Sequence, residues 1–199
     1  MAFLTGMIRL ILLNRPTRSD GFVKRIVCHC VLVLYLSFNC ALVHSADHAE
    51  DSVEYRVKVA FVANFIAFTD WPDDALKTID LCIYGEDYFG DSIDQLQNKP
   101  YNNRPIRVRR ISDLRKLNEC QVVFISKSSM SSLAVILDSL QNKPILTLAD
   151  SPNVAVQGVM INMSLKNEKI VFKVNLKVAR ESGLYISSQL LRLASRVYQ

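Results

Sequence analysis

Histidine is nearly missing from this 199-residue chain, which holds three: His29, His44 and His48. Ser-His-Asp and Cys-His mechanisms, and zinc sites built on imidazole, therefore lack their central residue. Beyond residue 46 no G-x-S-x-G, G-x-G-x-x-G or C-x-x-C occurs, which leaves no nucleophile elbow, dinucleotide fingerprint or redox pair. The carboxylates Asp70, Asp73 and Asp74 stand together beside Trp71-Pro72, where they read as loop solvation and a helix cap rather than as an acid–base pair. No catalytic residue, metal ligand or cofactor motif is expected. What the chain has in quantity is apolar side chains, half of its residues.

The first 46 residues read as a secretory leader and the rest as one domain, residues 47–199. Arg9, Arg15, Arg18, Lys24 and Arg25 precede an apolar run over residues 26–38, and the small pair Ser45-Ala46 follows, with a cut expected after Ala46. An uncleaved anchor helix is the alternative, though the run is shorter than the ~20 residues a bilayer crossing needs. Lipidation at Cys40 fits less well, because Phe38 and Asn39 are not small. Without the leader the chain keeps 19 basic against 18 acidic residues, so the high pI belongs to the leader and no footprint for nucleic acid remains. Cys28, Cys30 and Cys40 go with it, leaving Cys82 and Cys120 as an even pair in an exported domain. A disulfide is expected, and two buried thiols are the alternative.

Residues 54–70 read as a helix stopped by Trp71-Pro72. Its apolar residues fall on two sides, Val57, Phe61, Phe65 and Phe68 on one and Val59, Val62 and Ile66 on the other. Such a helix is buried all round or covered by a partner. Phe61, Phe65, Phe68, Val62 and Ile66 are accordingly candidates for a partner or dimer surface, with core packing as the competing reading. Asn64, inside this run, is expected to be a satisfied buried amide. A strand at residues 80–84 leads into Gly85-Glu86-Asp87-Tyr88-Phe89-Gly90-Asp91, whose acids would repel phosphate and are expected to cap the next helix.

Residues 104–111 form a strand in which Arg104, Arg107, Arg109 and Arg110 could hold an anion; a charged edge that resists strand addition is the plainer account. Residues 121–125 (QVVFI) read as a strand buried on both faces, 129–140 as a helix, and ILTLA after Pro144 as another strand. Residues 159–165 and 169–176 flank Lys166-Asn167-Glu168 as a hairpin. The closing stretch alternates Ile170, Phe172, Val174 and Leu176 along one strand face. After Ser182-Gly183, Ile186, Leu190, Leu193, Ala194 and Val197 recur at helical spacing, which predicts a closing amphipathic helix. The order predicts an α/β domain: a mostly parallel central sheet of about six strands, a C-terminal antiparallel hairpin and helices on both faces.

Three blocks, YRVKVAFVANFIAFTDWP, VFKVNL and GLYISSQLLRLASRV, resemble the signature blocks of the YfiR family of small bacterial periplasmic proteins, over roughly residues 54–197. The resemblance implies a non-enzymatic repressor that binds the periplasmic part of a membrane-bound, GGDEF-type diguanylate cyclase and so lowers cyclic di-GMP. It also implies homodimerisation, an outer-membrane lipoprotein as a further partner, and a disulfide that keeps the contact surface in register. Family members carry a cysteine pair at the places of Cys82 and Cys120; the second pair found in some is absent here. The competing function is a periplasmic module that binds a small anion on behalf of a transporter, receptor or sensor kinase.

Overall fold

The computed structural model describes residues 44–72, 77–101 and 104–199, with side chains from Val53 onward. The charged and apolar parts of the expected leader, with Asp73 and Asp74, lie outside the described residues. Among the described residues no helix is long and apolar enough to cross a membrane.

Helix α1 (His44–Ala67) leads into a two-residue strand β1 (Thr69–Asp70). The sheet then takes β2 (Ile79–Tyr84), β3 (Pro100–Tyr101) and β4 (Arg104–Ile111), with the short α2 (Asp91–Asp94) between β2 and β3. Next come β5 (Val122–Ile125), α3 (Leu133–Leu140), β6 (Leu146–Ala149), β7 (Ile161–Lys166) and β8 (Lys169–Asn175). The chain closes with α4 (Leu176–Glu181), β9 (Tyr185–Ile186), α5 (Ser188–Leu193) and β10 (Arg196–Tyr198). Eight of these strands form one sheet in the order β10-β8-β7-β6-β5-β2-β4-β3, and β1 pairs with β9 apart from it. From β4 across to β7 every neighbouring pair is parallel. β8 runs antiparallel to β7, so the expected α/β order and hairpin are both present.

The sheet is covered on both faces because its central strands are apolar at every position: all four residues of β5 and all four of β6 are buried. Alternation divides them. Val122 and Phe124 face a core shared with Val62, Phe65 and Ile66 of α1, while Val123 and Ile125 face a second core with Leu133 and Ile136 of α3. Cys82 and Cys120 belong to the α3 side and are joined as a disulfide. The hairpin turn places Asn167 at φ 49° and Glu168 at φ 59°, the left-handed pair that a two-residue turn matching strand twist requires.

The closing stretch differs most from the expectation. The alternation stops at Val174, because the Asn175 side chain accepts from Val178 N (3.1 Å) and starts α4 while its amide donates to Ala155 O (2.8 Å). Leu176 is thus a helix residue. The amphipathic helix expected to reach Val197 is only the six residues of α5, capped by Ser187. Ser195 then donates to Phe172 O from both its backbone N and its hydroxyl (2.8 and 2.7 Å), which turns the chain into β10 beside β8. Leu193, read as part of the buried stripe, is 72% exposed.

Two smaller corrections concern the first helix and the acidic loop. α1 ends at Ala67 rather than Asp70, because β9 takes Thr69 and Asp70 into a ladder and Ser187 N donates to Phe68 O (2.9 Å). Asn64 is exposed, since the apolar side of α1 turns away from it. The acids of residues 86–91 do not cap α2, whose N-terminal Gly90 makes no side-chain cap bond. Asp87 accepts from Phe89 N (2.8 Å) and, with Asp94, holds Arg110.

Candidate functional site

The arginines of β4 are already engaged within the chain. Arg107 forks onto both oxygens of the mostly buried Asp80, with Nη2 2.6 Å from Oδ2. Arg109 reaches Glu119 (2.8 Å), and Arg110 binds Asp87 (2.9 Å) and Asp94 (2.7 Å). Hydrogen bonding to Asp80 raises the Arg107 pKa further, and bonding to Asp94 does the same for Arg110. Arg104 lines a separate cavity of about 230 Å³ whose wall includes Asp70, and there burial raises the Tyr101 hydroxyl's pKa. β4 has only the two-residue β3 outside it, so these charges lie along an edge where strand addition is a hazard. A cleft of about 380 Å³ between α3 and α4 is rimmed by Asp138 and Glu181, the wrong sign for an anion.

Of the five candidate interface residues, Val62, Phe65 and Ile66 are completely buried in the chain's own core. Phe65 packs edge-on against Phe172 with ring centroids 5.0 Å apart. These three have no surface to give a partner. Phe61 and Phe68 are half-buried, and Phe61 sits between core and solvent, 6.1 Å from the Phe65 ring and 6.3 Å from Phe172. The unspent apolar surface lies one turn and two turns earlier, at Val57 (46% exposed) and Val53 (57% exposed). Spacing of four puts Val53, Val57 and Phe61 in one row along α1.

That row faces the β7–β8 hairpin. Leu165, 52% exposed, and Ile170 supply the opposite wall of a groove of about 450 Å³, with Glu54, Glu168 and Lys169 at its rim. Leu165 and Ile170 are cross-strand partners in the hairpin ladder, so the turn at Asn167-Glu168 positions both. The groove is apolar, open and lined by a helix on one side and a hairpin on the other, which suits an inserted apolar side chain or helix face better than a polar metabolite. The sequence held a signal for it: Val53 and Val57 continue the spacing of Phe61. The hairpin's share had none, because Leu165 and Ile170 look like any residues beside a turn.

A second feature stands at the carboxyl ends of the parallel strands, where the sequence had pointed only to the loop of residues 85–91. Because the chain goes from β2 to β4 on one side and to β5 on the other, the ends of β2 and β5 form the switch point where open α/β sheets bind ligands. Here the Ser126 hydroxyl donates to Glu86 O (2.7 Å) and Glu86 N donates to the Ser128 hydroxyl (2.8 Å), closing the two loops on each other. Next to them Lys58 of α1 reaches Asp150, the residue after β6 (2.5 Å). A lysine within the apolar run of α1 was the one available sign. Among the described residues no cluster of His, Cys, Asp or Glu could hold a metal ion.

The sequence model described as YfiR/HmsC-like matches residues 55–195. No curated protein matches the sequence. Among solved structures, a Streptococcus pneumonia ABC domain crystallised with L-Trp is similar at 8% identity and TM-score 0.48. A conserved domain protein from Vibrio cholerae O1 biovar El Tor is similar at 7% identity and TM-score 0.47. Each alignment covers 72% of this chain, which spans only 60% of either structure's own chain.

Proposed function

The chain belongs to the YfiR/HmsC-like family, and from that premise we propose that it is a non-enzymatic periplasmic regulator that docks the periplasmic part of an inner-membrane diguanylate cyclase and represses it. The observation that carries the choice of surface is the groove between α1 and the hairpin, where Val53, Val57 and Leu165 are left exposed. An apolar row from the partner would bury these side chains at about 25 cal/mol per Å², enough to make a few of them dominate the affinity. Glu54, Glu168 and Lys169 at the rim would set orientation more than strength. A second copy of this chain and the lipoprotein partner that the family implies are competing users of the same groove. Three of the four arginines of the anion-binding reading, Arg107, Arg109 and Arg110, already hold a carboxylate of the chain itself, which weakens that reading.

The test pairs two readouts. Deleting the gene should raise cyclic di-GMP, and complementing with V57E/L165E should fail to lower it again although the protein accumulates normally. Full repression by that variant would remove the groove from the account, and unchanged cyclic di-GMP on deletion would remove the cyclase.

A further inference from the structure

The two halves of α1 are held in different ways. Its carboxyl half is fixed by Val62, Phe65 and Ile66, all completely buried, and by the β1–β9 ladder just beyond. Its amino half, which carries Val53 and Val57, is held by Val59 and by the Tyr55 ring, buried against Tyr88 and Phe89, and by a cluster of polar atoms. Lys58 Nζ lies 2.5 Å from Asp150 Oδ2 and 2.5 Å from Glu54 Oε1. The Tyr55 hydroxyl donates to the same Asp150 oxygen at 2.6 Å, and the Lys58 ammonium sits 4.1 Å above the Tyr55 ring. Lys58 and Asp150 side chains are each only 3% exposed, although 92 residues separate them in the chain.

Two donors thus crowd one carboxylate oxygen while the other, Asp150 Oδ1, is buried with no partner, as is the neighbouring Ser151 hydroxyl. Taking a lysine and an aspartate out of water costs roughly what their attraction returns, so a buried pair fixes geometry more than it adds stability. This one is also only half satisfied, which lowers what is lost when both charges return to water together. With Tyr55, Val59 and this pair at one end against three fully buried side chains and a ladder at the other, the amino half of α1 is the easier to open.

We propose that Tyr55, Lys58 and Asp150 form a polar latch that sets whether the amino half of α1, and with it the Val53–Val57 wall of the groove, is docked or released. Release removes one wall of the groove and withdraws Tyr55 and Val59 from the core while Val62, Phe65 and Ile66 stay in place, so the latch regulates docking without global unfolding. Its regulatory meaning rests on the groove being the docking surface. The latch itself does not, and can be tested without any partner.

The measurement is hydrogen exchange, followed by mass spectrometry on the protein as purified from cells. Asp150→Asn should speed exchange of the amides around residues 55–60 by about tenfold or more while those of 62–67 and of β5 stay unchanged, the signature of local opening. Lys58→Met should do the same, and the double variant should return part of the protection, because no lone charge is left buried. Should Asp150→Asn fail to fold, Tyr55→Phe removes only the hydroxyl and should speed the same segment by about threefold. Equal acceleration in 62–67, or none anywhere in Tyr55→Phe and the folded variants, overturns the latch. Loss of the latch signature with normal V57E/L165E behaviour would refute this device alone; a working latch with docking insensitive to V57E/L165E would refute the groove instead.

Discussion

The two sides of the molecule spend their side chains in opposite ways. Along β4 four arginines stand at the sheet's edge, yet Arg107, Arg109 and Arg110 each answer a carboxylate from the same chain, so the edge is charged but already neutralised. Along α1 and the hairpin it is apolar groups that are left over, with Val53, Val57 and Leu165 about half exposed. A surface seeks partners through what it leaves unpaired, and by that criterion the apolar side is the active one.

Five variants sharpen this contrast, from the largest expected effect to the smallest, with Phe61 set beside Phe65 as its comparison. Phe65→Ala should cost about 3–5 kcal/mol, since its ring is wholly inside and packs on Phe172. Phe61→Ala, half-buried on the same row, should cost clearly less while weakening docking, and equal losses in chemical denaturation would erase the distinction between core and groove. Replacing Cys82 and Cys120 with Ser removes a bridge across 38 residues and should cost about 3–4 kcal/mol in the loop-entropy account. Because that bridge lies on the α3 face, opposite α1, docking by the surviving folded protein should persist. The bridge's place on that face favours a stabilising role over keeping the contact surface in register, and loss of docking in a folded Cys→Ser variant would favour the register role instead.

Val57→Glu with Leu165→Glu should weaken docking by about tenfold or more while shifting stability by only about 0.5 kcal/mol, as surface changes do. Arg107→Ala with Arg109→Ala, at the other edge, should leave docking unchanged by pull-down or titration. If the arginine pair matters and the groove pair does not, the two sides have been assigned the wrong way round.

Local pattern carried much of the fold and little of the site. QVVFI and ILTLA declared buried parallel strands because nothing polar interrupts them except Thr147, whose hydroxyl accepts from Met160 N. Lys166-Asn167-Glu168 declared the hairpin. The closing stretch misled because Asn175 fits an outward strand position and a helix cap equally well, and only its bond to Ala155 decides between them. On α1, periodicity named the apolar residues but not which of them the rest of the chain would cover: Phe65 and Val57 are alike in pattern and opposite in burial. Lys58 and Asp150 were beyond local reading, since neither predicts the other across 92 residues.

The most direct test places a photo-crosslinking phenylalanine analogue at position 57, and separately at position 109, in living cells. The account expects position 57 to capture the periplasmic part of a membrane-bound diguanylate cyclase and position 109 to capture nothing. Capture of that cyclase from position 109 alone, or irradiation at 57 that yields only a transporter or receptor, would contradict it.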